Sequence, residues 1–214
     1  MTLFKDFSPT YYPKGSMTQD FGENFPLYRE AFGMDGHNGK DFVAPWGTPL
    51  FPFKAGKVVE VKNSETGYGK YIRILTDEVN GVCEEWTYGH MSKIIVVLGQ
   101  RIETNECFGE MGNTGFVVSG PTPFWKYNPY AGTHVHVGKR LVKMFKKEHK
   151  TWTISYGTGE KGTILDYGNG FKGSIDYTLD EGEDIRQKQL TVISLANQVI
   201  VLYRQLINIL SLKE

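Results

Sequence analysis

The chain of 214 residues is long enough for one full domain with an additional segment, and for a hydrophobic core that is stable without disulfide bonds or structural metal ions. Its composition, 40% hydrophobic and 22% charged, is that of an ordinary globular protein. The 24 basic and 24 acidic side chains cancel, so no overall field attracts nucleic acid or an anionic membrane. Nucleic acid is therefore not an expected partner.

The first 35 residues are expected to form an irregular entry with a short hairpin-like piece at the sequence TQDFG. The opening residues, MTLFKDFSPTYYPKG, lack the apolar stretch and the small-residue cleavage site of a secretory signal. The sequence has no run of about eighteen uncharged apolar residues, so no transmembrane helix is predicted. If the protein acts beyond a membrane, we expect it to arrive there by another route.

Between Asp41 and Gly138, runs typical of β-strands alternate with glycine turns, which predicts an antiparallel β-sheet core. The runs are KVVEVKN, KYIRILTD, CEEWTYGHM and KIIVVLGQRI. Residues 116–131 are rich in proline and aromatic residues and are expected to form a loop. Cys83 and Cys107 either pair or stay reduced, since their spacing does not decide between the two.

After a basic, glycine-rich stretch at 139–182, the pattern changes to that of an amphipathic helix of about 28 residues. Apolar residues recur there at alternating spacings of three and four: Val192, Leu195, Val199, Leu202, Leu206 and Ile209. The apolar stripe is too wide for an exposed surface. It could build a homo-oligomer, dock onto a larger assembly, pack against the β-domain or lie on a membrane surface, and we rank self-association first.

Three short motifs contain four of the five histidines. His37 precedes Asp41 by four residues in GHNGKD, His90 ends an aromatic β-run in YGHMS, and His134 and His136 flank a valine in GTHVHVG. Because strand side chains alternate between faces, the last two imidazoles point the same way. A catalytic zinc needs three protein ligands and an open position. Taken singly, each motif also fits a turn or an ordinary hydrogen-bonded strand histidine.

The order of these motifs, with GTPLFPFKAGKVVEV and GNTG between them, resembles the lysostaphin-type zinc metallopeptidases, which cut peptidoglycan peptides. The resemblance implies a mainly β fold, with an antiparallel barrel-sandwich hybrid core before the C-terminal amphipathic helix. It also implies one Zn²⁺ per chain, held by His37, Asp41 and His136, with His90 and His134 as catalytic histidines. Which of those two is the general base stays open.

The chain departs from the family pattern at Pro121–Tyr130, which resembles an insertion before the second histidine motif. Trp125, Tyr127 and Tyr130 could line a substrate cleft there or pin a surface loop, and the second reading is slightly favoured. The expected division of the chain is an N-terminal extension at 1–17, a zinc metallopeptidase β-domain at 18–138, a β and loop extension at 139–182, and a helix at 183–214.

The resemblance implies an endopeptidase that hydrolyses a stem peptide or cross-bridge of bacterial peptidoglycan, acting at the cell wall. With no secretory signal and no ordinary wall-binding domain in view, the sequence suits a phage lysin. Such a protein would be released at lysis, carried in a virion or exported by a partner. The alternative is an inactive structural or activating protein that keeps the fold. Degenerate relatives of that kind lose ligands, whereas all five positions are filled here.

Overall fold

Two antiparallel β-sheets dominate the fold in a computed structural model that describes residues 16–118, 122–145 and 153–177. Within these residues, the larger sheet contains β1 (Met17–Gln19), β2 (Lys40–Phe42), β4 (Gly56–Lys62), β5 (Tyr71–Leu75), β6 (Cys83–Gly89), β8 (Arg101–Ile102), β10 (Val135–Phe145), β11 (Thr153–Ser155), β12 (Lys161–Ile164) and β13 (Ser174–Ile175). The smaller sheet contains β3 (Pro49–Leu50), β7 (Lys93–Ile94) and β9 (Gly109–Glu110). The expected mainly β fold is confirmed, whereas the predicted C-terminal helix lies outside the described residues.

The long strand β10 organises the larger sheet, whose order is β1-β2-β10-β6-β5-β4-β8. One edge of β10 pairs with β6, and its other edge pairs in turn with β2, β13 and β12. This register sets His136 beside Asp41 on one side and Gly89 on the other. The boundary predicted at residue 138 falls inside β10, and the division into four segments stays a prediction.

One face of β10 packs into the main core, while the other face carries the candidate site. Val135 and Val137 are fully buried among large side chains such as Trp86, Tyr88 and Phe42. Burying each such side chain stabilises the fold by about 1.5–3 kcal/mol. Because successive strand residues alternate between faces, His136 points away from this core, as the H-x-H spacing predicts.

A short helix, α1 (Phe25–Phe32), replaces part of the irregular entry expected before residue 35. A proline in its first turn favours its start, and Gly33, at a φ of 65°, ends it by donating to the carbonyls of Tyr28 and Arg29. Two turns are too few to show helical periodicity in the sequence. The TQDFG segment forms no local hairpin, because Met17 and Gln19 pair with β2.

The run KIIVVLGQRI, expected as one β-segment, is divided between β7 in the smaller sheet and β8 in the larger sheet. The other three predicted runs correspond to β4, β5 and β6. Cys83 and Cys107 are both free thiols. No helix among the described residues has the length and apolar character that crossing a bilayer requires.

Gly39 is expected to be indispensable for the position of His136. A Cβ at residue 39 would lie 2.5 Å from both His136 Cε1 and the Val137 carbonyl oxygen. Gly39→Ala should therefore destabilise the protein by about 1–3 kcal/mol and displace the imidazole. Thermal unfolding and metal content of the purified variant measure both effects. Gly168→Ala is the matched control, because a Cβ there meets no atom within 4 Å. Equal behaviour of the two variants would contradict the prediction.

Candidate metal centre and active site

Two adjacent strands and the loop before one of them bring three candidate ligands together. His37 lies in the loop that leads into β2, Asp41 lies in β2, and His136 is its register partner in β10. Their ligand atoms all lie within 4.8 Å of one another, and all three residues are buried. The structure thus assembles the three residues that the sequence motifs predict as metal ligands.

The hydrogen bonds around His37 determine which of its nitrogens faces the cluster. His37 Nδ1 lies 3.2 Å from the carbonyl oxygen of Asp20, so Nδ1 carries the proton and Nε2 keeps its lone pair. That Nε2 lies 2.8 Å from His136 Nδ1 and 3.1 Å from Asp41 Oδ1. His136 Nδ1 also lies 3.1 Å from Asp41 Oδ1. His37 Nε2, Asp41 Oδ1 and His136 Nδ1 therefore converge on one point.

A buried lysine holds the segment that supplies the Asp20 carbonyl. The ammonium of Lys40 is paired with the carboxylates of both Asp20 and Asp176. Burial alone would lower the pKa of Lys40, but its bonds to these two carboxylates raise that pKa above its usual value. The lysine therefore stays charged, and it fixes the carbonyl that orients the imidazole of His37.

This donor set fits zinc. Two imidazoles and a carboxylate are a common set for catalytic zinc. Zinc bonds of about 2.0–2.2 Å in a tetrahedral set place ligand atoms roughly 3.3–3.5 Å apart, a few tenths of an ångström wider than the separations here. His136 Nε2 is buried without a hydrogen-bond partner among the described residues. If Nε2 carries the proton, then His37 Nε2, Asp41 Oδ1 and His136 Nδ1 all present lone pairs, with no hydrogen-bond donor between them. A bound cation would stabilise this arrangement.

His134 and His90 lie beside the three candidate ligands, and each is oriented by a backbone carbonyl. His134 Nδ1 lies 2.7 Å from the oxygen of Gly132, and His90 Nδ1 lies 2.7 Å from that of Thr114. Each ring therefore presents an unprotonated Nε2. His134 Nε2 lies 3.5 Å from Asp41 Oδ2, and the two rings are 4.6 Å apart between centroids. The two nitrogens are available to accept protons at the edge of the cluster.

The backbone at His90 adopts a conformation that side chains rarely take. Its φ is 60°, in the left-handed region. The His90 N–H donates to the carbonyl of Tyr68 at 2.7 Å, which helps to hold the residue in place. Backbone conformations of this kind cost about 1–3 kcal/mol and cluster at functional sites. The turn at the end of β6 thus delivers this imidazole to the site.

Burial and mutual charge shape the protonation of the site. Burial would raise the pKa of Asp41, but the neighbouring His134, His37 and His136 hold that pKa well below its usual range. Burial lowers the pKa of His136 to about 4, against the opposing hydrogen bond to Asp41. Burial and the neighbouring His134 and His136 also hold the pKa of His90 well below its usual value. At neutral pH Asp41 is therefore a carboxylate, and the rings of His136 and His90 are neutral.

These shifts predict an acid-sensitive fold in the metal-free protein. An unfolded histidine titrates near pH ~6.5, whereas His90 and His136 resist protonation in the native state. Below that pH the unfolded chain binds more protons, so the free energy of unfolding should fall as pH decreases from ~6.5 toward ~4. Urea denaturation of chelator-treated protein between about pH 7.5 and about pH 5 measures this. His90→Asn should flatten the dependence, and a pH-independent stability of the wild type would refute the prediction.

The site opens into a cavity of about 300 Å³ that sequence reasoning did not define. Apolar side chains from α1 and from the segment after Gly115 form much of its wall: Leu27, Phe32, Phe116 and Val117. Tyr68 also lines it, stacks on His136 at 5.0 Å and accepts a hydrogen bond from Asn38 at 2.7 Å. A signal for Asn38 exists, since it lies inside the GHNGKD motif. The residues of α1 and single turn residues such as Tyr68 have no sequence signal that would place them in the cavity wall.

The three aromatic residues considered for the cleft do not line this cavity. Trp125 lies in a 3-10 helix (Phe124–Lys126), and its Nε1 donates to the Gly115 carbonyl at 3.0 Å. Tyr127 and Tyr130 are 61% and 66% exposed. Tyr130 also packs edge-on against Trp46, with ring centroids 5.6 Å apart. Trp125 therefore connects the described part of the insertion to Gly115 of the GNTG motif. A role of the three aromatic residues in substrate binding stays a prediction.

Several known proteins are similar to this chain. Glycyl-glycine endopeptidase ALE-1 of Staphylococcus capitis is 29% identical over 151 residues, 69% of this chain and 37% of the relative. Peptidoglycan DD-endopeptidase ShyA of Vibrio cholerae is 39% identical over 85 residues, 40% of this chain and 18% of the relative. The chain thus matches well under half the length of these relatives. The catalytic domain of the prophage-encoded M23 protein EnpA of Enterococcus faecalis is 27% identical, with a TM-score of 0.44, covering 63% of this chain and 86% of that one.

A family model also matches the chain. The model of peptidase family M23 matches residues 35–151, more than half of the chain. The matched range contains all five site residues that the motifs predict: His37, Asp41, His90, His134 and His136. The resemblance inferred from the motifs is thereby confirmed, and the chain belongs to peptidase family M23.

Proposed function

We propose that the protein is a zinc-dependent endopeptidase that hydrolyses peptide bonds of bacterial peptidoglycan. The observation that carries the proposal is the convergence of His37 Nε2, Asp41 Oδ1 and His136 Nδ1 beside two histidines with unprotonated Nε2 atoms. Similar proteins support the substrate class, since they include a glycyl-glycine endopeptidase and a peptidoglycan DD-endopeptidase.

In this proposal His37, Asp41 and His136 hold the metal. When zinc is bound, it supplies Lewis-acid polarisation and a nucleophilic water at neutral pH. Asp41 Oδ2 faces His134 Nε2 at 3.5 Å, so the carboxylate can stabilise the positive charge that His134 gains when it accepts a proton. The bond from His134 Nδ1 to the Gly132 carbonyl keeps the ring aimed during that transfer.

His90 is the second catalytic histidine of the proposal. Its Nδ1 is bound to the Thr114 carbonyl, and burial favours the neutral ring, so Nε2 is a ready proton acceptor. Once protonated, the same nitrogen can donate to the oxyanion or to the leaving amine. The apolar cavity wall excludes water from part of the site, which strengthens these interactions.

An inactive structural or activating protein is the alternative. Nothing in the ligand geometry favours it, because the described site keeps all three candidate ligands and both neighbouring histidines. Phage origin, action as a lysin and the route to the wall stay predictions of the sequence. The same holds for oligomerisation or docking through residues 183–214, which lie outside the described residues.

Metal analysis and a wall-lysis assay on the same purified full-length protein test the proposal. We expect about one zinc per chain, lysis of bacterial wall preparations, and loss of lysis on chelation that added zinc reverses. Soluble cross-linked peptides, analysed by mass spectrometry, identify the bond that is cut. Folded protein without zinc, or zinc-loaded protein that cleaves neither walls nor peptides, would overturn the proposal.

A further inference from the structure

The cavity beside the candidate ligands carries excess positive charge. Besides the histidines, its charged wall residues are Asp41, Arg140 and Lys172. The Asp41 carboxylate is directed at the metal position, so it offers the substrate little negative charge once a divalent cation is held. A cavity with this balance favours a substrate that bears negative charge close to the scissile bond.

Acidic neighbours balance the charge of Arg140. Arg140 Nη1 lies 3.4 Å from Glu85 Oε1, and Glu85 also accepts a hydrogen bond from Tyr156 at 2.7 Å. Arg73 lies 2.7 Å from Glu60 and 3.7 Å from Glu85. Two arginines and two glutamates thus form a buried, neutral group. Arg140 therefore has a structural role in the sheet, and the glutamates around it neutralise most of its charge.

Lys172 has no such balance among residues 16–118, 122–145 and 153–177. It makes no ion pair or hydrogen bond with another described residue, although it is half-buried and lines the cavity. Covering an ammonium without a partner is unfavourable. An anion bound in the cavity would supply the missing partner.

The loop around Lys172 is built to present it. Lys172 has a φ of 53°, which is rare for a residue with a side chain. Asn169 Oδ1 accepts the N–H groups of Phe171 and Gly173, at 2.9 Å and 3.1 Å, on either side of the lysine. The Asp35 N–H donates to the Gly170 carbonyl at 2.9 Å, which ties this loop to the segment that carries His37. The lysine is therefore fixed near the candidate metal centre.

We propose that Lys172 binds a carboxylate of the peptide substrate and makes the enzyme prefer peptides with a free carboxylate near the scissile bond over uncharged ones, such as oligoglycine. The inference rests on the proposed function and names its substrate class. Two sources offer this chemistry: the C-terminal α-carboxylate of a peptide and the side-chain carboxylate of a diamino acid. Lys172 lies beyond residue 151, where the family match ends, so the match to the family does not include it.

Cleavage of matched peptides by the zinc-loaded full-length protein tests the proposal. One cross-linked peptide keeps its carboxylates, and its twin carries carboxamides. The wild type should cleave the first with a kcat/KM about tenfold to a hundredfold higher, through KM. Lys172→Gln should abolish the preference by lowering cleavage of the carboxylate peptide to the level of its carboxamide twin, and Lys172→Arg should restore part of the preference. Lys143→Gln, at an exposed position on β10, is the matched control.

A binding measurement gives a second readout. In the His134→Ala background, in which turnover should be suppressed, calorimetry should show tighter binding of the carboxylate peptide than of its twin, and Lys172→Gln should remove the difference. Peptides amidated only at the C terminus or only on the side chain then identify the source of the carboxylate.

Some outcomes would overturn the inference and others the proposed function. Equal loss of cleavage for both twins in Lys172→Gln, or a wild type that does not discriminate between them, would overturn the role of Lys172. Failure of the zinc-loaded wild type to cut any peptide or wall would instead overturn the proposed function. The binding difference would still decide whether Lys172 recognises a carboxylate.

Discussion

Replacing Asp41 with asparagine is expected to remove zinc binding and wall lysis together. The amide has nearly the shape of the carboxylate, but it is neutral, and its NH₂ group can donate to the lone pairs of His37 Nε2 and His136 Nδ1. The variant should therefore fold while losing the anionic ligand. Since changes to groups that only support a ligand already reduce metal affinity about 10–100-fold, a direct ligand should cost more than that. Zinc stoichiometry and lysis rate, measured on one preparation, report the result.

Asp77→Asn is the matched control for this substitution. The Asp77 side chain is 75% exposed and pairs with Arg101 at the surface, where an ion pair contributes about 0–1 kcal/mol. Its zinc content and activity should equal those of the wild type. An Asp41→Asn protein that kept one zinc and normal lysis would show that this carboxylate is not a ligand. If the Asp41→Asn protein does not fold, His37→Ala provides a second test of the metal site, because it removes a different ligand.

The second large effect is expected for His134→Ala, which should keep zinc and lose activity. The imidazole lies outside the three converging ligand atoms, with Nε2 3.5 Å from Asp41 Oδ2. Losing a positioned proton acceptor typically costs about 10²–10⁴-fold in rate. Zinc analysis, thermal unfolding and kcat on a soluble peptide separate loss of chemistry from loss of fold. Near-wild-type turnover would show that His134 plays no part in proton transfer.

His90→Asn is the natural companion, because asparagine tolerates the positive φ at that position better than most residues do. Both variants should be slow and both should hold zinc. The pH dependence of their residual kcat/KM then identifies the base: the variant without the base should lose the acidic limb of the profile. If both retain that limb, the proton acceptor is a different group.

For several of the residues that sequence reasoning found, local spacing determines the direction of the side chain. His134 and His136 flank Val135 in a strand, so their common face follows from strand geometry alone. The four-residue step from His37 to Asp41 likewise delivers both to one edge of β2. The order of the motifs supplied the rest, because each motif alone fits an ordinary structural role.

Residues positioned by tertiary contacts were not predictable in this way. The two turns of α1 are too short for a periodic signal, yet they supply Leu27 and Phe32 to the cavity wall. Lys172 reaches the cavity because Asn169 and the Asp35 N–H hold its loop, and the bond from Asp35 to Gly170 joins parts of the chain more than a hundred residues apart. For the aromatic residues of the insertion the sequence left two readings open, a substrate cleft or a pinned surface loop, with the second slightly favoured, and the hydrogen bond from Trp125 to the Gly115 carbonyl fits the second.

Backbone carbonyls at Asp20, Gly132 and Thr114 orient three of the four histidines in the site. A carbonyl belongs to the main chain, so no side-chain substitution at those three positions removes it. A one-residue insertion or deletion in the turns that carry them would displace the acceptor and release the imidazole to its other tautomer, with the wrong nitrogen facing the cluster. The length of these turns therefore determines which nitrogen of each imidazole faces the cluster. Natural variation near the site should be rich in substitutions and poor in length changes.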